Sequence, residues 1–408
     1  MAHPLPPPRR RGFLGRYRVA KIVGIVLLSL VVLIAGATAL ILIGLNGHLN
    51  IDTVDPMLGA DRPTQNAPLS SVSSLGDPYA RRAVNILVIG SDSRGGDNAA
   101  ISQDKDPGGQ RSDTTFIAHV SADRSRVEVV SIPRDTLITI PACVYADGSK
   151  VPQAGATKQK FNSAFSFGTA GKKGTLASGV ACTIRAVEAM SQVPIDGYVV
   201  VDFAGFAKIV DAVGGVDLYL PCAVSSKKAD NLNLPKGVNH LDGTIATNYA
   251  RARTGTGLGD GSDLMRIQRQ QALFKALANK VLGMNVMTSI GPLYGFVSSV
   301  ADSMTTDLGN LTDLAGFAYS LRNFSLGNLT FQTVPIADAG DGANVVLVPE
   351  KDQPIWDALI NDTPINPAPT PTPPPSAGAT QAPPTTSPTP SDPAIPAGMV
   401  SAPANQCG

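Results

Sequence analysis

The stretch that decides the fold is NILVIGSDSRGG, residues 85–96. Its first half is a short run of branched apolar residues, typical of a buried strand, and the run breaks at once into polar residues. Similar apolar runs follow at TFIAHV (115–120), VEVVSI (127–132), YVVVDF (198–203) and VDLYL (216–220). Each of these runs predicts a strand.

Helical patterns separate the later runs. Apolar side chains return every three or four positions in residues 176–192, and residues 203–215 end on Gly-Gly, a stop signal. Residues 262–283 begin with a Ser-Asp cap. Strands that alternate with helices predict an α/β fold, built as a layered α/β/α domain.

The predicted domain spans residues 83–361, and its flanks differ from it in composition. Residues 46–82 are polar and turn-rich, without sustained periodicity, and predict a stalk. Residues 362–408 are rich in proline, serine and threonine. Such a segment cannot bury enough apolar surface to offset the entropy of ordering, so it predicts a disordered tail.

An uncharged apolar run from Ile22 to Leu45 predicts a membrane helix. About 24 residues reach about 36 Å, which exceeds the roughly 30 Å of the hydrocarbon core. Basic residues crowd residues 1–21, whereas aspartates follow the run. The positive-inside rule therefore predicts a single pass through the cell membrane, with a cytoplasmic N-terminus and an extracytoplasmic domain. A cleaved signal peptide is the alternative, although the run is long for one.

Charge and cysteine usage narrow the classes of function. The formal net charge of +1 gives no support to bulk binding of nucleic acid. No two of the four cysteines have the spacing of metal ligands. Cys143 and Cys182 lie in loop-like sequence and are predicted to form a disulfide, whereas Cys222 and Cys407 receive no predicted partner. Four free thiols are the alternative.

Polar residues, above all arginines, stand where the predicted strands and helices end. Ligands of α/β sheets bind beyond the carboxyl ends of the strands, so several of these residues are expected to lie at one edge of the sheet. The candidate site residues are Asp92, Arg94, Arg111, Asp113, Arg134, Lys160, Arg251, Arg253, Arg266 and Gln270. Arg269 lies in the same helical segment, but the four-residue spacing favours the pair Arg266 and Gln270.

These residue types favour phosphate chemistry. Guanidinium groups bind phosphate in bidentate fashion, and two carboxylates with phosphate oxygens and water suit Mg²⁺. Phosphoryl transfer needs such positioning and charge neutralisation. Beside a membrane, these features favour a lipid-linked pyrophosphate as the substrate. Taken singly, each of these motifs could be an ordinary part of the surface, as an R-x-R pair usually lies on a solvent-exposed face.

At these residues the sequence resembles the LytR–CpsA–Psr family of cell-wall glycopolymer transferases. The resemblance is close over residues 83–280 and looser to residue 361, and the composition resembles the actinobacterial members. The motifs that carry it are NILVIGSDSR, RSDTTFIAHV, VVSIPRDT, KFNSAFSFG, IDGYVVVDFAGFAKIVDAVGGVDLYLP, HLDGTIATNYARAR and DLMRIQRQQ. The long loop between Arg94 and Arg111 leaves the relative position of the two aspartates open.

The resemblance implies a mixed central sheet that encloses a hydrophobic tunnel for a polyprenyl chain. It implies transfer of a glycan, in this branch arabinogalactan, from a polyprenyl pyrophosphate to peptidoglycan with Mg²⁺ or Mn²⁺. By motif, Asp92 and Asp113 would hold the metal and Arg134 would be catalytic. The residues implied to bind the pyrophosphate are Arg94, Arg111, Lys160, Arg251, Arg253, Arg266 and Gln270. The alternatives are hydrolysis of the pyrophosphate and a non-catalytic regulator that binds polyprenyl lipid.

Overall fold

The computed structural model describes residues 50–64, 77–92, 110–155, 157–284, 300–301, 303–366, 395–396 and 398–407. All of them belong to one unit of the chain, Leu49–Gly408. The predicted cytoplasmic segment and membrane helix, residues 1–45, lie outside the described residues, as does Arg94. Within the described ranges, no helix is long and apolar enough to cross a membrane.

A seven-stranded mixed sheet forms the centre of this unit. The strands of the described chain are β1 (Asn50–Ile51), β2 (Val84–Ser91), β3 (Ser112–Val120), β4 (Val127–Ser131), β5 (Leu137–Ile138), β6 (Gln159–Lys160), β7 (Gly197–Asp202), β8 (Val216–Leu220), β9 (Val224–Ser226), β10 (Leu232–Leu234), β11 (Gly237–Leu241), β12 (Met304–Thr306), β13 (Leu329–Thr333), β14 (Ile336–Asp338), β15 (Val345–Leu347) and β16 (Val400–Ser401). The sheet order is β1-β12-β7-β2-β3-β4-β13. β2 pairs with β7 in parallel and with β3 in antiparallel fashion.

Helices cover both faces of the central sheet. The helices of the described chain are α1 (Asp55–Leu58), α2 (Ser163–Thr169), α3 (Leu176–Ser191), α4 (Phe203–Ala212), α5 (Gly243–Arg251), α6 (Asp263–Gly283), α7 (Leu311–Ser320) and α8 (Pro349–Asn361). The predicted helices appear as α3, α4 and α6, and side chains of Thr175, Asp202 and Ser262 cap their first turns. The predicted α/β domain with a mixed sheet is therefore confirmed.

The core has two layers, one on each face of the central sheet, because side chains along each strand alternate between the two faces. In β2, Leu87 and Ile89 belong to the large core that α1, α2, α3 and α8 cover. Ile86 and Val84 belong to a smaller cluster on the other face, where α7 packs. Successive side chains of a strand point to opposite faces, so one continuous apolar run can fill both layers.

A second, smaller sheet supports α5 and α6, the two helices that reach the candidate site. Its order is β11-β8-β16, and it packs on α5 and α6. Leu218 and Leu220 of β8 meet Tyr249 of α5 and Leu273 of α6, and all four side chains are buried. This packing fixes the position in space of the end of α5 and of the start of α6.

The prediction of a stalk over residues 46–82 is wrong for the residues of that range that the structure describes. β1 pairs in parallel with β12 at the edge of the central sheet, and Met57 and Leu58 of α1 are buried in the core. Asp77 forms a buried ion pair of 2.8 Å with Arg124. The segment buries only a few side chains in short stretches, and these are too short to give a periodic pattern.

Two disulfides join distant parts of the domain. Cys143 and Cys182, the predicted pair, are bonded with their Cα atoms 5.4 Å apart. Cys222 is bonded to Cys407, with a Cα separation of 5.8 Å. The second bond ties the C-terminus of the chain to the small sheet.

The predicted disordered tail, residues 362–408, is therefore wrong for its final described residues. β16 pairs in parallel with β8, and the Gln406 side chain accepts a hydrogen bond of 2.9 Å from the Tyr249 hydroxyl. We call residues 398–407 the C-terminal clasp. Its ordering comes from strand pairing, a covalent bond and the packing of Val400 and Ala402 on the small-sheet core, and these few contacts leave no signal in the composition.

One buried carboxylate makes stability depend on pH. Asp352 of α8 is 2% exposed, and in the described part of the chain neither of its carboxylate oxygens has a hydrogen-bond partner. Burial raises the pKa of Asp352 to about 6. Because this pKa lies above the unfolded value of about 3.9, the folded state loses stability as pH rises from about 4 to 6.

Asp352→Asn is expected to raise the free energy of unfolding at pH 7.5 by about 1–2 kcal/mol, since no charge remains to be desolvated. The gain should vanish near pH 4, where the wild-type carboxyl is protonated. Thermal unfolding of both proteins across this range measures the difference. The exposed Asp357 of the same helix is the control, and Asp357→Asn should show no such trend. A gain that does not change with pH would contradict the assignment.

Candidate active site

The carboxyl ends of three strands, β2, β4 and β7, meet the start of β3 at one edge of the central sheet. Ser91 at the end of β2 lies opposite Ser112 at the start of β3, and Asp202 at the end of β7 lies on its other side. Ser131, the last residue of β4, lies opposite Phe116 of β3. The polar residues next to these strand ends are therefore brought together, as the strand pattern predicts.

Two helices bring the remaining basic residues to this edge. α5 ends at Arg251, with Arg253 two residues beyond, and α6 begins at Asp263 and carries Arg266 and Gln270 in its first two turns. Arg269 points elsewhere. It is 1% exposed and donates hydrogen bonds to the backbone carbonyls of the loop between the two helices.

A cavity with about 840 Å³ of empty space, partly open to solvent, lies between these elements. We call it the arginine cavity. Its lining residues are Asp92, Arg111, Asp113, Thr114, Arg134, Phe203, Ala250, Arg251, Arg253, Arg266 and Gln270. Of the ten residues predicted for the site, all line this cavity except Arg94, which is outside the described residues, and Lys160. Lys160 instead contacts Asp135, with Nζ 2.7 Å from Oδ1.

Arg134 lies among three carboxylates. Its Nη1 donates to Asp113 Oδ1 at 2.9 Å, and its Nε lies 3.2 Å from Asp135 and 3.3 Å from Asp263. Asp263 also bonds Arg266. Asp135 and Asp263 are not among the residues predicted from the sequence, although Asp135 follows Arg134 and Asp263 lies in the first turn of α6. Together these contacts hold the guanidinium plane in one orientation.

Asp113 bonds two arginines of the cavity through its two carboxylate oxygens. Its second oxygen accepts a hydrogen bond of 2.9 Å from Arg253. Burial alone would raise the pKa of Asp113, but the charges of Arg253, Arg134 and Arg266 outweigh it and hold the pKa below its ordinary value. Asp113 therefore stays ionised at neutral pH and is a poor proton acceptor.

The cavity carries an excess of positive charge. Five arginines and two aspartates line it. Arg251 lies over the ring of Phe203, with 4.3 Å from the guanidinium carbon to the ring centre, and this cation–π contact orients it. Phe203 was not selected from the sequence, because an aromatic residue after a strand gives no signal by itself. The arrangement suits an anion with several negative oxygens, such as a pyrophosphate.

Asp92 and Asp113 both line the cavity and are the residues that could hold a metal. Asp92 accepts a hydrogen bond of 2.6 Å from the backbone nitrogen of Arg111. In the part of the chain that the structure describes, no group of three or more acidic, histidine or cysteine side chains forms a metal cluster. Two carboxylates are the number of protein ligands that Mg²⁺ commonly takes, since water and substrate phosphates complete its coordination, but both oxygens of Asp113 already accept hydrogen bonds from Arg134 and Arg253.

An apolar cleft adjoins the arginine cavity. The two share Asp113, Thr114 and Gln270, and the cleft between the sheet and α6 is nearly closed, with about 10 Å³ open to a water-sized molecule. Its apolar lining residues are Phe116, Val129, Ile132, Ile267, Phe274 and Phe331. A ligand with a charged group and an apolar chain could therefore contact both cavities at once.

Comparison with known proteins finds one matching family and several similar proteins. A model described as the LytR_cpsA_psr family matches residues 53–358. The chain is 32% identical over 285 residues to the cell wall biosynthesis protein LcpA of Corynebacterium glutamicum, covering 65% of this chain and 53% of that protein. It is 30% identical over 240 residues to the polyisoprenyl-teichoic acid–peptidoglycan teichoic acid transferase TagU of Enterococcus faecalis. That match covers 59% of this chain and 66% of TagU. The match spans about half the length of the corynebacterial relatives.

Solved structures share the fold. The crystal structure of TagV from B. subtilis matches with a TM-score of 0.51 at 23% identity, covering 69% of this chain and 98% of that one. A LytR-Csp2A-Psr enzyme from Actinomyces oris matches with a TM-score of 0.51 at 20% identity, covering 74% and 97%. At these identities the likeness concerns the fold alone.

Proposed function

Since the chain belongs to the LytR–CpsA–Psr family, we propose that it transfers a glycan from a polyprenyl pyrophosphate to peptidoglycan. The observation that carries this proposal is the arginine cavity, in which five arginines surround two aspartates directly beside an apolar cleft. Relatives named as teichoic acid transferases of peptidoglycan support the reaction class for their own substrates.

The two cavities suit the two parts of such a donor. The pyrophosphate oxygens would be bound by Arg111, Arg251, Arg253 and Arg266, whose forks match phosphate geometry. The first isoprene units would enter the apolar cleft against Phe116 and Phe274, where burial of hydrocarbon is favourable, and the cleft would have to widen to admit them. We infer that the cleft is the entrance of the predicted polyprenyl tunnel.

The transfer is a displacement at phosphorus. The acceptor hydroxyl oxygen attacks the phosphorus that carries the sugar, the bond from that phosphorus to the bridging oxygen breaks, and polyprenyl phosphate leaves with the electron pair. The proton of the acceptor hydroxyl passes to solvent or to the departing polyprenyl phosphate, whose oxygen gains the electron pair. Arg134 would donate to the phosphate oxygens on which charge develops, and it is held for this role by Asp113, Asp135 and Asp263. In the product, one phosphate joins the glycan to peptidoglycan as a phosphodiester.

Asp92 and Asp113 would hold Mg²⁺, which when bound neutralises charge on the phosphate oxygens. The depressed pKa of Asp113 supports this assignment, because a metal ligand must be ionised. Mn²⁺ has the same preference for oxygen ligands and is expected to substitute.

We propose arabinogalactan as the glycan and the cell membrane as the location. The resemblance to the actinobacterial members carries the first proposal, and the match to a cell wall biosynthesis protein of Corynebacterium glutamicum agrees with that branch. The apolar run from Ile22 to Leu45 supports the second, since a membrane anchor would keep the extracytoplasmic domain beside a substrate that cannot leave the bilayer easily. Peptidoglycan lies on that side of the membrane.

A transfer assay with the full chain tests the proposal. Incubated with a polyprenyl-pyrophosphate-linked sugar and peptidoglycan, the protein is expected to move the sugar phosphate onto peptidoglycan. Chelation of the metal should lower the rate by at least about tenfold, and Mg²⁺ should restore it. Release of free sugar phosphate despite the acceptor would indicate a pyrophosphate hydrolase. Lipid binding without any turnover would indicate a non-catalytic regulator.

A further inference from the structure

Two adjacent glutamines of α6 bond the central sheet beside the apolar cleft. Gln270 accepts a hydrogen bond of 3.1 Å from the Thr114 hydroxyl of β3. The Gln271 amide nitrogen donates to the hydroxyls of Ser131 in β4 and Thr333 in β13, at 3.0 and 3.2 Å. We call these three hydrogen bonds the glutamine latch. They tie α6 to three neighbouring strands of the sheet.

The glutamine latch lies where a ligand would pass from the arginine cavity into the apolar cleft. Thr114 and Gln270 line both cavities, so their hydrogen bond lies at the boundary between them. Among the described lining residues, Gln271 belongs to the cleft alone. The rings of Phe116 and Phe274 meet across the nearly closed cleft, with their centres 5.3 Å apart. A chain of isoprene units can therefore enter only after α6 and the sheet separate at this point.

An amide is a costly group in the wall of a site for hydrocarbon. An isoprene chain offers the Gln271 amide no hydrogen-bond partner, and a buried polar group without a partner loses free energy. In the closed cleft, Ser131 and Thr333 satisfy this amide. Gln271 therefore stabilises the closed arrangement relative to the lipid-loaded one, whereas leucine at this position would contact the lipid without that cost.

We propose that the glutamine latch holds the apolar cleft shut in the unloaded protein and must break before a polyprenyl chain can enter. The inference rests on the proposed function and deepens it, because it concerns the lipid of the same donor. Inorganic pyrophosphate needs the arginine cavity alone, so its binding leaves the latch closed. Loading of the lipid is then limited by the separation of α6 from the sheet.

Association of two probes with the full chain provides the test. One is a short, water-soluble polyprenyl pyrophosphate, and the other is inorganic pyrophosphate. In the wild type, the observed association rate of the polyprenyl probe should reach a plateau at high probe concentration, because opening precedes binding. Gln271→Leu is expected to raise this plateau about three- to tenfold, the value of about one net hydrogen bond. Its affinity for inorganic pyrophosphate should stay within about twofold of the wild type.

A second variant changes the latch from the sheet side. Thr333 is not among the described residues that line either cavity, so Thr333→Val acts on lipid loading through the latch. It should raise the same plateau about two- to fivefold, since the bond from Gln271 to Ser131 remains. Gln353→Leu is the matched control, because it removes an exposed amide of α8 that bonds Asp357, and it should bind both probes as the wild type does.

The direction of the change decides the inference. Slower association or weaker binding of the polyprenyl probe by folded Gln271→Leu would show that the amide contacts the ligand, and it would overturn the latch. Wild-type kinetics in both Gln271→Leu and Thr333→Val would overturn it as well. Neither result touches the proposed function, because the wild type still binds the lipid. A wild type that binds inorganic pyrophosphate but not the polyprenyl probe would overturn the proposed function together with the latch.

Discussion

Replacing Arg134 by alanine is expected to lower kcat for glycan transfer by about 10²–10³-fold, the loss seen when one preorganised donor to a developing oxyanion is removed. Arg134 is the only described guanidinium in contact with Asp113, Asp135 and Asp263 together. Arg134→Lys should be nearly as inactive, because a single ammonium cannot keep the planar arrangement that these three carboxylates hold. Initial rates at saturating donor, with peptidoglycan in excess, measure the effect.

The pH profile separates this role from a merely structural one. Arg134 is one of the charges that hold the pKa of Asp113 below its ordinary value. In Arg134→Ala that pKa should rise, so the residual activity should fall off at a higher pH on the acid side than in the wild type. Arg322, exposed on the turn after α7, is the matched control, and Arg322→Ala should retain wild-type rates. A folded Arg134→Ala protein with more than a tenth of wild-type kcat would contradict the assignment.

Removing the Cys222–Cys407 disulfide is expected to lower the free energy of unfolding by about 2–5 kcal/mol. The bond joins residues 185 apart in sequence, and a long loop restricts the unfolded chain more than a short one. Chemical denaturation of Cys222→Ser/Cys407→Ser against the wild type measures the loss. Donor binding should also weaken, since the clasp bonds Tyr249 of α5 and this helix ends at Arg251.

The other disulfide provides the control for the effect of loop length. Cys143 and Cys182 are 39 residues apart. The dependence on loop length makes their removal less costly by about 1 kcal/mol, provided that the folded state is equally undisturbed. A double variant at positions 222 and 407 that unfolds at the wild-type denaturant concentration would show that the clasp does not stabilise the domain.

Much of the fold was predictable because its signals are local. Apolar runs of five or six residues gave β2, β3, β4, β7 and β8, and capped periodic segments gave α3, α4 and α6. The stalk and the tail were predicted wrongly for the described residues at positions 50–64, 77–82 and 398–407. These stretches join the domain through two-residue strands, single ion pairs, a disulfide and a few buried apolar side chains such as Met57 and Leu58, and such contacts are too short to leave a periodic pattern in the sequence.

Local sequence patterns indicate which residue types gather at the site, because an apolar run that ends in Asp or Arg marks a strand end wherever the strand lies. They also favour Arg266 over Arg269, and the cavity lining agrees with that choice. The contacts that each of these side chains makes depend on the tertiary structure. Arg134 meets Asp263, and Arg251 meets Phe203, across elements far apart in the chain. These contacts depend on how α5 and α6 pack on the small sheet, and side-chain distances between elements are not encoded in local spacing.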